Sequence, residues 1–187
     1  MNMPKISIDD MERRVARFEN MKGADLAFMD QRIPGHEREI VNIIGFESMA
    51  ANIIENKDDP TTQPLIPNPA HGFTFQVVHA ENGGGAALHL HETEEVFMPM
   101  VGSWSIFWME GEEEREVILE PFDVVSLPMQ IYRGFRYIGE GRGSLLAVVG
   151  GPDAGNITWH PAVIEKARET GISVDDDGVL IEVAAEA

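Results

Sequence analysis

The stretch from Gly83 to Gly102, GGGAALHLHETEEVFMPMVG, decides how this 187-residue chain is read. His89 and His91 lie two apart in a run with strand character, and residues two apart in a strand share a face. Glu92 to Glu94 turn the chain. Glu95 then opens a following strand, expected beside the first, which brings its carboxylate back to the two rings. Two neutral imidazoles and one carboxylate, with positions left open, form a donor set for a redox-capable or Lewis-acid divalent metal. Gly83, Gly84 and Gly85 let the preceding loop turn tightly.

Outward from this stretch, short runs rich in Val, Ile, Phe and Trp alternate with turn residues. Strands are expected near Phe73–Ala80, Ala86–His91, Glu95–Val101, Trp104–Met109, Arg115–Leu119, Asp123–Leu127, Tyr132–Ile138 and Ser144–Val149. Gly102-Ser103 has the form of a two-residue hairpin turn, and Glu110 to Glu114 reads as a solvated tip. Short strands at this spacing indicate an antiparallel sandwich or barrel rather than alternating β-α units. Trp104, Ile106 and Trp108 share one face and Phe107 and Met109 the other, so one side lines the core and the other meets a second layer or subunit.

The flanks are less regular. Ser7 is a good N-cap with Asp10 three residues on, and Ile8, Met11, Val15 and Phe18 follow at helical spacing until Gly23. This stripe is expected to pack on a sheet or a partner subunit. Residues 24–70 carry little pattern beyond a strand at Arg38–Gly45 and a proline-rich loop from Asn56 to Pro69. Pro161 suits the first position of a helix that ends at Gly171, and Gly178 to Val183 suits an edge strand. The expected organisation is an N-terminal extension (1–70), a barrel (71–150) and a C-terminal helix with an edge strand (151–187).

Charge narrows the function. The chain has 32 Asp+Glu against 14 Lys+Arg, a formal net charge of −18. Nucleic acid and anionic membranes need a basic face, so neither is an expected partner. A small molecule or a metal ion is. With no cysteine, disulfides, thiolate metal sites and cysteine nucleophiles are excluded. No signal-peptide pattern opens the sequence and no run is long and apolar enough to span a membrane, so the expected setting is cytoplasmic and the Asn156-Ile157-Thr158 sequon is read as coincidence.

The Gly83–Gly102 stretch resembles the first conserved motif of the cupin superfamily: Gly, five residues, His, one, His, three, Glu, six, Gly. Gly83, His89, His91, Glu95 and Gly102 meet every spacing. The resemblance covers about residues 70–150. It implies an all-β fold, a double-stranded β-helix (jelly-roll) barrel with N-terminal and C-terminal helical extensions, holding iron, manganese, nickel or zinc. It also implies a homodimer.

The second cupin motif departs from the family pattern. Aligned on Pro128, Phe122 and Gln130 stand where the family has glycines, Arg133 where it has a ligand histidine, and Tyr137 where it has asparagine. Arginine has no lone pair to ligate a cation. Three arrangements therefore stay open. His89, His91 and Glu95 hold the metal alone, with Arg133 free to bind an anionic substrate. Alternatively Arg133 replaces the metal and pairs with Glu95. Otherwise another side chain completes the site, His79 first, then Tyr137 and Gln76. The alternation Phe73, Phe75, Val77, His79 places His79 on the face expected to line the barrel; Phe135 is expected to help shape the pocket. His36, His71 and His160 carry no assigned role.

The resemblance implies an enzyme acting on a small anionic or oxygen-rich organic molecule, with dioxygenase-like chemistry foremost. A non-catalytic small-molecule-binding cupin, or a cupin isomerase or lyase, with or without a metal, is the alternative. An isomerase base would come from Tyr137 or His79.

Overall fold

A computed structural model of the chain describes residues 6–45, 53–67, 72–151 and 157–185. His71, Asn156 and the end of the Asn56–Pro69 loop lie outside them. The strands are β1 (Glu39–Gly45), β2 (Ile66–Pro67), β3 (Phe73–Ala80), β4 (Gly85–Leu90), β5 (Glu95–Val101), β6 (Trp104–Glu110), β7 (Glu113–Leu119), β8 (Val125–Leu127), β9 (Arg133–Tyr137), β10 (Gly143–Gly150), β11 (Thr158–Trp159), β12 (Ile172–Val174) and β13 (Leu180–Glu182). Helices α1 (Ile8–Glu12) and α2 (Pro161–Glu169) flank them. Among the described residues no helix is long and apolar enough to cross a membrane.

A six-stranded sheet, β2-β1-β3-β10-β5-β8, faces a five-stranded sheet, β11-β4-β9-β6-β7, and β12 pairs with β13 as a separate ribbon. Apart from the parallel β1–β2 contact, the pairings are antiparallel. The result is the double-stranded β-helix. Each central strand turns alternate residues inward, so Phe97, Trp104, Ile106 and Leu145 are fully buried between the sheets. Where β4 meets β9 the backbones come so close that a Cβ on Gly85 would collide with the Phe135 carbonyl.

Two local expectations change. Gly102-Ser103 is not a hairpin turn, because β5 and β6 belong to different sheets. It is the corner where the chain crosses from one sheet to the other, with Gly102 at φ +70 against the Tyr137 ring. The true tight turn is Gly111-Glu112, with Glu110 opposite Glu113. At the N-terminus, Ser7 does cap α1, accepting from the Asp10 N–H at 3.0 Å, but the helix stops at Glu12 and only a 3₁₀ turn at Phe18–Asn20 follows. None of its residues is buried, and a short helix without a packing partner does not propagate.

The N-terminal segment is part of the structure that encloses the barrel. β1 pairs with β3 within the six-stranded sheet. Phe28, Met29, Ile53 and Ile54 join Trp159, Val163 and the barrel residues in one continuous apolar core, closing the mouth of the barrel. Arg38 and Asp30 form a buried two-pronged ion pair there, at 2.8 and 2.9 Å. Both partners also reach β4: Arg38 Nη1 donates to the Gly85 carbonyl and the Ala87 N–H donates to Asp30, each at 2.9 Å.

Candidate metal centre

Those contacts matter because β4 is bulged. Ala86 pairs with Phe135 and His89 with Arg133, with the register shift between them. On a regular pleat Ala86 and His89 would face opposite ways; the extra residue returns His89 to the interior, and His91 follows two residues on. Asp30 and Arg38 pin the backbone at this bulge. Phe122 and Gln130, the residues at the second motif's glycine positions, both keep left-handed backbone, at φ 73 and 61. Both positions thus hold a backbone conformation that favours glycine, although they carry side chains.

Glu95 reaches the histidines differently from expectation. β5 does not lie beside β4 but in the facing sheet, so the carboxylate approaches across the barrel interior. His89, His91 and Glu95 are all buried, each offering a ligand atom within 4.8 Å of the others. His89 Nδ1 donates to the Ala87 carbonyl at 2.7 Å, which leaves the Nε2 lone pair free. The two rings meet edge to face at 4.9 Å, and Trp159 packs on His89 at 5.4 Å.

Both imidazoles are held neutral. Burial, then the neighbouring His91 and Arg133, keeps His89 well below the usual histidine range; burial and Arg133 push His91 down to about 3. Burial raises the Glu95 carboxyl, opposed by the charge and hydrogen bond of Arg133. The donor set fits a divalent metal: two neutral rings and one carboxylate, with His91 Nε2 turned towards Glu95 at 3.9 Å.

Arg133, 1% exposed, donates through Nη2 to Glu95 at 2.9 Å, while its Nε and Nη1 are buried without partners. It faces the cluster, but it does not line the cavity beside it. That cavity, ≈ 40 Å³, is bounded by His89, His91 and Glu95 with Gln76, Phe135 and, from the extension, Arg38. At about 30 Å³ per water in the liquid, it has room for one.

The remaining candidates separate. Phe135 lines the cavity, edge-on to Phe97 at 5.0 Å. Tyr137 does not: its hydroxyl donates to the Glu140 carbonyl at 2.8 Å and its ring packs on Trp104 at 5.2 Å. His79 is not brought into the group either. The Phe75, Val77, His79 face of β3 is the outer one, and the inner face carries Thr74, Gln76 and Val78. His79 instead bonds Ser144 at 2.8 Å and lines a separate surface cleft of ≈ 470 Å³ with Glu39 and Arg142.

Residues without a legible sequence signal complete the surroundings. Glu55, 3% exposed, accepts from the Met29 N–H at 2.7 Å and from Trp159 Nε1 at 2.5 Å. Burial pushes its carboxyl up to about 8. Glu55 thus ties the extension to the tryptophan that packs on His89.

No protein-family model and no curated protein matches the chain. Solved structures do. An oxalate oxidase is 13% identical over 81% of this chain and 66% of its own, with a TM-score of 0.52. An oxalate oxidase in complex with the substrate analogue glycolate gives 13%, the same coverages and 0.53. This chain therefore spans just under two thirds of those proteins' length. A cupin 2 domain-containing protein from Halorhodospira halophila is 16% identical over 70% of this chain and 75% of its own, at 0.48. At such identities the likeness is one of fold.

Proposed function

We propose that this chain, whose fold is the double-stranded β-helix of the cupin superfamily, is a metal-dependent enzyme acting on a small anionic organic molecule. The observation that carries this is the buried, mutually facing set His89, His91 and Glu95 with both rings neutral. A divalent metal held there supplies Lewis acidity and, if redox-active, oxidative chemistry of the dioxygenase kind. The protein's own groups do the rest. The Ala87 carbonyl fixes the His89 tautomer, and Arg133 holds one Glu95 oxygen in place. Arg133 also sets a positive charge beside the cluster, behind the cavity wall, which favours an anion there. Phe28, Ile53 and Trp159 keep bulk water from the cavity. Its size favours a substrate of few atoms, in line with the oxalate and glycolate named for the structural neighbours.

A metal-free binding pocket or isomerase is the second reading, favoured by one contact: the 2.9 Å pairing of Arg133 with Glu95 already supplies a cation to the carboxylate.

Metal analysis of protein purified without added metal separates the two. Stoichiometric metal that disappears in His89→Ala supports the enzyme reading, and absence of metal in both proteins refutes it. Arg133→His, which restores a ligand, is expected to raise metal affinity while weakening binding of glycolate. Oxygen uptake with small carboxylates then tests the oxidative assignment, and turnover without oxygen moves it to isomerase or lyase.

A further inference from the structure

A second cleft lies on the outside of the five-stranded sheet, between α2 and strands β4, β6 and β9. Its volume is ≈ 320 Å³, against ≈ 40 Å³ for the cavity at the metal centre. Strand β4 separates the two spaces: His89 bounds the inner one, whereas its neighbour Leu88 lines the cleft. Ile33, Met109 and Val163 complete the apolar walls. The His160 N–H donates to the Leu88 carbonyl at 3.0 Å, which ties the start of α2 to the sheet and keeps the two walls apart at a fixed spacing.

The charges at this cleft have the opposite balance to the chain as a whole. The chain carries −18, yet Arg136 and Lys166 line the cleft against one carboxylate, Glu114. The Arg136 guanidinium lies over the Phe107 ring at 4.2 Å. Gly134 makes that seat, since a Cβ there would collide with the same ring. Glu114 takes Nη2 of Arg136, but Nε has no partner within the protein, and the side chain is 39% exposed, so a ligand can reach the guanidinium. Lys166 forms no ion pair among the described residues. Burial first, then Arg38 and Lys166, hold His36 below the usual histidine range against the pull of Asp30, so its ring brings no charge to the cleft.

We infer that this cleft binds a small apolar monocarboxylate, its carboxylate taken by Arg136 and Lys166 and its body lying against the apolar walls. Each feature excludes a rival. A strongly hydrated dianion such as inorganic phosphate would lose water against walls that return no hydrogen bonds. An amine would meet two like charges, and an uncharged hydrocarbon would leave the Arg136 donor unmet. Size follows from the volume: at about 30 Å³ per water-sized group, the cleft takes roughly ten heavy atoms, the scale of hexanoate or phenylacetate. The site stands apart from the metal centre and does not depend on that reading.

Calorimetric titration of the full chain tests this, after dialysis against EDTA so that no metal competes for the carboxylate. Hexanoate is expected to bind at least ~10-fold more tightly than hexanol, which lacks the charge, or acetate, which lacks the body. Lys166→Glu, at an exposed position, and Arg136→Met, which keeps an apolar stem beside Phe107, should each weaken hexanoate at least ~10-fold. Arg142→Glu, in the separate cleft beside His79, should leave its affinity unchanged. If Arg136→Met fails to fold, Lys166→Glu decides. No binding at millimolar hexanoate, equal binding of hexanol, or a hexanoate affinity indifferent to Lys166→Glu overturns the proposal.

Discussion

Replacing Glu55 by glutamine should change how stability depends on pH, and the structure gives the size of the effect. Glu55 is buried between the extension and Trp159, and its carboxyl is pushed up to about 8 from the 4.5 of a solvated glutamate. A carboxyl raised on folding keeps its proton in the folded protein where the unfolded chain has released it. Its contribution is therefore fully present below about pH 4.5, fades as pH climbs towards 8, and is absent above. At 1.36 kcal/mol per pKa unit the span amounts to on the order of 5 kcal/mol. Glutamine removes the titration but has one acceptor oxygen where Glu55 uses two, for Met29 and Trp159. That change costs about 1–3 kcal/mol at low pH. The two stability curves should therefore cross, with wild type more stable at pH 5 and Glu55→Gln more stable at pH 9. Urea unfolding of both proteins at pH 5, 7 and 9 measures this directly, because every other titrating group cancels in the difference. Parallel curves would refute the reasoning.

Three further outcomes are expected. Because His91 is held near 3 and His89 well below its usual range, neither ring competes for protons above pH 5; Mn²⁺ affinity measured by calorimetry should change little between pH 7 and 5 on their account, and a fall of about a hundredfold or more, as two ordinary histidines would produce, would contradict their neutrality. Asp30→Asn leaves Arg38 buried without its carboxylate and should destabilise by about 3–5 kcal/mol in urea titration. Phe122→Gly should relieve the left-handed backbone at a ring that is 73% exposed, stabilising by up to about 1 kcal/mol and raising Tm by roughly 2–4 °C; a lower Tm would mean the ring has contacts that outweigh the strain.

The barrel was legible because its inner strands announce themselves. The runs that form β3, β5 and β10 are apolar, short and bounded by turn residues, and spacing alone brought His89, His91 and Glu95 together. Period-two alternation groups residues by face without saying which face is inside. On β3 both faces are rich in apolar residues, so alternation alone points His79 inward, whereas the inward residue is Gln76. A glycine-serine pair likewise signals a turn, not whether the strands it joins are partners. Asp30, Arg38 and Glu55 left no pattern because each works through a distant segment: Arg38 through Gly85, Asp30 through Ala87 and Glu55 through Trp159. Single long-range polar contacts carry no periodicity.

These contacts also bear on how the molecule assembles. Asp30 and Arg38 leave the ribosome well before the strand they pin, and Glu55 meets Trp159 across 104 positions of chain. Loop-closure entropy makes contacts of such separation slow to form. The bulge that aims His89 inward is secured only once the early segment has docked on β4, and the cap over the mouth is completed only when Trp159 arrives. Until then the nascent barrel lacks its cap, and His89, His91 and Glu95 take their buried positions only when the two ends of the chain have closed over them.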